Sequence, residues 1–164
     1  MKHPVGLTQN GTEVYAELTS AKVGKRLARQ PGLLTLAKEV LATVKLRDPK
    51  ICMEYDLRRQ IGYDFIIETA EKDAAFYARL VKDDVYTRFV KNGEPSPTSY
   101  VTLVLLRDSD KKYELCDLWI GRNIPPRPGS ADETAESKSY WSNHAVILGD
   151  QHVQPQTLTK TSPY

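Results

Sequence analysis

Ile51-Cys52-Met53-Glu54-Tyr55-Asp56-Leu57 is the stretch on which the reading of the fold turns. Its apolar residues recur at every second position, with Cys52, Glu54 and Asp56 between them, which is the period of a half-buried strand. The segment just before it keeps a different rhythm. In residues 33–46, Leu33, Ala37, Val40 and Val44 share one helical face, flanked by Leu34, Leu36 and Leu41, and Asp48-Pro49 ends the run. The period thus changes from that of a helix to that of a strand near residue 50.

Working outward from this switch, the upstream chain predicts a second helix over residues 21–30. Thr19 and Ser20 supply N-caps, and Pro31-Gly32 supplies a stop. Residues 13–18 alternate weakly and read either as a strand or as the opening turns of a helix. The first dozen residues are polar and read as loose. Downstream, period-2 runs follow at 61–67, 74–80, 85–91, 100–106 and 113–120, separated by Asp83-Asp84, Asn92-Gly93 and the turn at 108–111. Short connections between such runs predict antiparallel hairpins, because a parallel pair needs a long crossover. The Pro-rich stretch Ile124-Pro-Pro-Arg-Pro-Gly129 reads as a loop. Asp132 then reads as the N-cap of a helix running to about Ala145 or Leu148.

These elements sum to an α+β fold. One antiparallel six- or seven-stranded meander sheet is expected, with two N-terminal helices and one C-terminal helix packed on one face. Residues 1–149 are expected to form a single domain, and the polar, Thr-rich residues 150–164 a flexible tail. If residues 13–18 are a strand, the element order resembles the helix-grip architecture of lipid- and small-ligand-binding proteins. The resemblance lies in element order alone, and no sequence motif carries it.

Composition narrows the classes of function. The 164 residues are 40% hydrophobic and 27% charged, as in an ordinary globular protein. No apolar run, residues 103–106 included, approaches the roughly 20 residues that cross a bilayer, so membrane insertion is not expected. The N-terminus lacks the apolar core of a secretory signal, and two cysteines are too few for a disulfide framework or a thiolate metal site. A reducing compartment, the cytoplasm, is the expectation, with neither metal nor cofactor. The net charge of +2 conceals an asymmetry, since residues 1–60 carry 11 Lys/Arg against 6 Asp/Glu.

Three groups of residues stand out. Lys22, Lys25, Arg26 and Arg29 fall on one helical face, and such a stripe attracts phosphates or other anions. A solvated helix face gives the same pattern. If 51–57 and 61–67 form a hairpin, Glu54, Asp56, Asp64 and Glu68 share its outer face, where paired carboxylates hold divalent cations. No spaced calcium-loop motif accompanies them, and any half-exposed sheet shows such residues. The third group gathers Cys116, Asp117, Trp119, Arg122, Trp141 and His144 at the end of the last strand, in the Pro-rich loop and on the final helix. Strict alternation would point Cys116 to the core with Leu118 and Ile120, leaving Asp117 and Trp119 on the other face. Phosphate-binding loops, dinucleotide fingerprints, nucleophile elbows and zinc motifs are absent.

Nine tyrosines and two tryptophans against so little catalytic content favour a non-catalytic binding module, for a small apolar molecule or a protein partner. Asp117, Trp119, Arg122, Trp141 and His144 are its candidate contacts. One alternative is a small enzyme of nuclease or phosphoryl-transfer type, using the basic helix and His144, with nucleic acid as partner. Another is an interaction subunit whose tail orders against a partner.

Overall fold

The computed structural model describes residues 1–70 and 73–164. The chain is α+β and folds into two compact units, Met1–Gly62 with Pro97–Asn123, and Tyr63–Ser96 with Ile124–Tyr164.

The first unit is built on a five-stranded sheet. Its strands are β1 (Lys2–Leu7), β2 (Glu13–Glu17), β3 (Lys50–Asp56), β9 (Tyr100–Arg107) and β10 (Tyr113–Ile120), in the order β1-β2-β10-β9-β3. Two helices, α1 (Val23–Arg29) and α2 (Gly32–Leu41), complete it. The apolar stripe of α2 is the cause of its position: Leu33, Ala37, Val40 and Leu41 are buried in one cluster with Val101, Leu103, Leu105, Leu115 and Leu118 of the sheet. Each such side chain contributes roughly 1.5–3 kcal/mol on burial. The N-cap position of α1 falls on Lys22, and Ser20 ties down the approach to the helix, its Oγ accepting from the N–H of Val23, the first helical residue, at 3.1 Å. The β9–β10 hairpin is equally local, since the Asp108 carboxylate accepts from the N–H groups of Asp110 and Lys112 and fixes the turn.

The second unit holds a four-stranded sheet in the order β5-β11-β7-β6, from β5 (Ile66–Glu68), β6 (Ala75–Arg79), β7 (Tyr86–Val90) and β11 (His144–Ile147). Phe76 stacks on Phe89 with ring centroids 5.7 Å apart and Ala78 buried in the same cluster, while Val90, Ala145 and Ile147 form a second buried cluster. Helix α3 (Ser137–Asn143) turns Trp141 inward, where it is only 3% exposed and donates its indole N–H to the Pro125 carbonyl. Arg127 bridges the Asp83 carboxylate and the Thr87 hydroxyl at 2.7 and 2.6 Å. Two short strands, β4 (Gly62–Asp64) and β8 (Ser96–Thr98), pair with each other as a third sheet.

Several expectations are corrected. Among the described residues there is no single antiparallel meander and no barrel, so the helix-grip resemblance does not survive; the strands divide among three sheets, and the pairings β2–β10 and β7–β11 are parallel. The three helices do not cover one face of a common sheet, because α3 belongs to the second unit. Residues 51–57 and 61–67 do not form a hairpin: β3 pairs with β9, and β5 pairs with β11. The run 61–67 is itself broken, because the Asp64 carboxylate accepts from the Ile66 N–H at 3.0 Å and turns the chain between β4 and β5. The final helix is short. Its expected beginning is spent on turns, and its expected end, His144-Ala-Val-Ile, becomes β11, as β-branched residues favour. The loose N-terminus is instead β1, paired antiparallel with β2.

Residues 150–164, the expected tail, run along β6. Thr159 bridges Tyr77 and Val153 bridges Leu80, while the Gln154 side chain donates to the carbonyls of Leu80 and Asp83.

Candidate functional site

The five-stranded sheet has one face under the helices and one face that they do not cover. Alternation along the paired strands places the side chains of this second face. Cys52 lies beside Val104 and, one strand further on, Asp117; Glu54 lies beside Thr102 and, one strand further on, Trp119; Asp56 lies beside Tyr100. A β-bulge between Leu115 and Asp117 decides this arrangement. The extra residue lets Leu115 and Leu118 both face the core, which strict alternation forbids, and it leaves Cys116 at the bulge rather than in the core cluster. Asp117 and Trp119 lie on the outer face, as alternation back from Leu118 and Ile120 requires.

Two cation–aromatic pairs organise this face. The Arg26 guanidinium reaches from α1 to Asp117, with Nε 2.5 Å from Oδ1, and lies over the Trp119 ring at 5.4 Å. Asp117 is mostly covered (14% exposed) while Arg26 is not (45%), so the pair fixes the aspartate and still presents the guanidinium. At the neighbouring position Arg122 lies 4.4 Å over the Tyr100 ring and 3.5 Å from the Glu54 carboxylate. Glu54 is itself held by the Asn123 N–H at 2.7 Å. Trp119 donates its indole N–H to the Arg122 carbonyl, and the wholly buried Thr102 hydroxyl donates to the Gly121 carbonyl at 2.9 Å. The result is a preorganised surface of two Arg–aromatic pairs, each anchored by a carboxylate, Asp117 for Arg26 and Glu54 for Arg122.

The basic stripe is altered by this geometry. Arg26 turns out of it toward Asp117, while Lys25 and Arg29 are exposed on the seven-residue helix α1 and Lys22 is exposed at its N-cap. The candidate acidic group is divided, with Glu54 and Asp56 on β3 in the first unit and Asp64 and Glu68 on β4 and β5 in the second. Among the described residues no group of three or more His, Cys, Asp or Glu is placed to hold a metal ion.

The third group falls in both units: Cys116, Asp117, Trp119 and Arg122 in the first, Trp141 and His144 in the second. Trp141 and His144 no longer share a helical face, because α3 ends at Asn143. His144 stacks on Tyr140 with centroids 3.8 Å apart and planes 5° from parallel, and its Nδ1 lies 2.8 Å from the Tyr140 carbonyl. A carbonyl only accepts, so Nδ1 carries a proton. Burial, with Glu54 beside one and Glu114 beside the other, pushes the Cys52 and Cys116 thiols above their ordinary range, which keeps both mainly protonated near neutrality.

Sequence reasoning missed Tyr100, Thr102 and Glu54 as members of the outer face with Trp119. Their alternation with Val101, Leu103 and Met53 carried the signal, but it specifies a face only once β9 is known to lie between β3 and β10. A separate pocket of about 390 Å³ is lined by Pro4, Leu7 and Tyr15 with the charged Lys2, Glu13 and Lys112 among others. No helix of the described residues is long and apolar enough to cross a membrane. No protein-family model matches the chain, and no curated protein or solved structure matches it either.

Proposed function

We propose that the chain is a non-catalytic binding module that engages a protein partner through the outer face of its five-stranded sheet. The observation that carries this reading is the Trp119–Arg26–Asp117 group. A half-buried Trp lies under a guanidinium whose position is held by a carboxylate, on a sheet face that neither helix covers. Trp and Arg are the residues that most often dominate protein–protein binding energy, and fixing them before contact lowers the entropy cost of association. Arg122 over Tyr100 repeats the pattern beside it. The protonated thiols add support, because they leave this face without an activated nucleophile.

A protein suits the geometry better than a small apolar molecule does. The space between helices and sheet in this unit is filled by its own core, and the nearby 390 Å³ pocket presents charged side chains that an apolar ligand would leave desolvated. The test is site-specific photo-crosslinking from position 104 in cells, with Trp119→Ala beside the parent. One discrete crosslinked partner is expected, with affinity lowered roughly 30-fold or more by the Trp119 substitution. An unchanged crosslink in Trp119→Ala overturns the reading.

A further inference from the structure

The two large sheets have four edges, and three of them are defended. β1 carries Pro4 and a bulge between Pro4 and Gly6. β6 is bridged by Val153 and Thr159 of the C-terminal segment. β5 is three residues long. Proline, bulges, cover and brevity are the usual means by which edges avoid pairing with other chains. Among the described residues β3 has none of them. It is seven residues long, holds no proline, and pairs with β9 in unbroken register while standing last in its sheet.

Which of its backbone groups face outward is fixed by the ladder. The Arg107 N–H donates to the Pro49 carbonyl, and the Leu57 N–H donates to the Ser99 carbonyl. Odd-numbered residues of β3 therefore turn their N–H and C=O groups toward β9. Lys50, Cys52, Glu54 and Asp56 turn theirs to the open edge. Beside that edge runs a groove of about 690 Å³, with Val44, Leu46, Ile51 and Met53 in its walls.

We propose that a second copy of this chain occupies the edge, β3 pairing antiparallel with β3 about a two-fold axis at Met53. This register overlaps the whole strand and brings the outward-facing residues opposite one another, as hydrogen bonding requires. Lys50 then faces Asp56 of the second copy, and Asp56 faces its Lys50. Ile51 faces Tyr55 in the same reciprocal way, and Met53 faces itself. Opposite charges and a β-branched–aromatic pair are the favourable cross-strand combinations. The neighbouring two-fold registers lose this complementarity: centring on Glu54 sets that carboxylate against itself, and centring on Cys52 sets Asp56 against Asp48. Self-complementarity of this kind is what an isologous dimer needs. The inference goes beyond the partner reading and is independent of it, since it rests on the edge of β3 and not on the Trp119 face.

The experiment is sedimentation velocity on the full chain over a range of concentrations, with Lys50→Glu, Asp56→Lys and their mixture. The parent is expected to show a concentration-dependent dimer. Each variant alone sets like charges opposite one another twice, so its dimer dissociation constant rises roughly tenfold or more. Mixing the two restores both opposite-charge pairs and restores the dimer, which a misfolded variant cannot do. On a Cys116→Ser background, a bismaleimide of about 8 Å reach joins the two Cys52 thiols, diagonal neighbours in this register. A monomer at all concentrations overturns the inference. So does a dimer indifferent to both charge variants, or a mixture that does not recover.

Discussion

Gly24 occupies the second position of α1, where the chain leaving β2 passes so close that a Cβ built there would lie 2.0 Å from the Leu18 carbonyl oxygen. In an open helix Gly→Ala gains about 1 kcal/mol. Here the obstacle is backbone and cannot swing aside, so the clash outweighs propensity. Gly24→Ala is expected to destabilise the protein by roughly 1–3 kcal/mol, read as a lower urea midpoint at unchanged slope. A stabilised variant would mean that α1 does not pack against the end of β2. The same approach of helix to strand sets the Arg26 guanidinium on Asp117, two residues 91 positions apart. The sequence marks both as chemically interesting, yet it assigns Arg26 to an anion-binding stripe, because helical periodicity records which residues share a face and not what that face meets.

Elements whose pairing is settled by a neighbouring turn are legible in the sequence: β9 with β10 across Asp108, and β6 with β7 across Asp83-Asp84. Those paired across a long loop are not. β3 and β11 carry the right period or composition, but period alone does not say that β3 lies beside β9 or that β11 lies between β5 and β7. The C-terminal segment is the extreme case, polar and without period, yet hydrogen-bonded along β6 through backbone and Gln154. Its last residue offers a measurement. Tyr164 meets the Tyr77 ring edge-on at 5.8 Å, and burial, with Tyr77 beside it, pushes its phenol up to about 12. Tyr15 is pushed up to about 12 as well, by burial and by the Asp108 carboxylate. Raised folded-state values mean that the stabilisation from both phenols is complete below about 10 and is lost as pH climbs through about 12. In a spectrophotometric titration Tyr15 and Tyr164 should ionise late, and Tyr164→Phe should shrink the late-ionising fraction. If Tyr164→Phe leaves the late fraction unchanged, the C-terminal segment is not seated on β6.

The chain passes between its two units at 62/63, 96/97 and 123/124, so neither unit is a continuous stretch of sequence. Pro97 and Pro125 stand at or near two of these passages, a punctuation visible beforehand but indistinguishable from that of an ordinary loop. This interleaving is the main reason a single meander reads plausibly from the sequence: a local strand count is the same whether successive strands continue one sheet or cross to another. It also has a mechanical consequence. The five-stranded sheet takes β1, β2 and β3 from before the first passage, and its inner strands β9 and β10 from after the second. Residues 1–62 alone lack β9 and β10, which supply Val101, Leu103, Leu105, Leu115 and Leu118 to the core cluster, and they should remain unfolded. The two ends that an excision would leave are adjacent, since the Ile61 N–H donates to the Thr98 carbonyl at 2.9 Å. A chain of residues 1–62 joined to 97–123 by a short Gly-Asn linker therefore keeps the whole core cluster of the first unit and needs no long loop closure. This excised chain should unfold cooperatively in urea with the circular dichroism of a β-rich protein. A non-cooperative transition would show that the first unit depends on the second for its fold, whatever the independence of their cores.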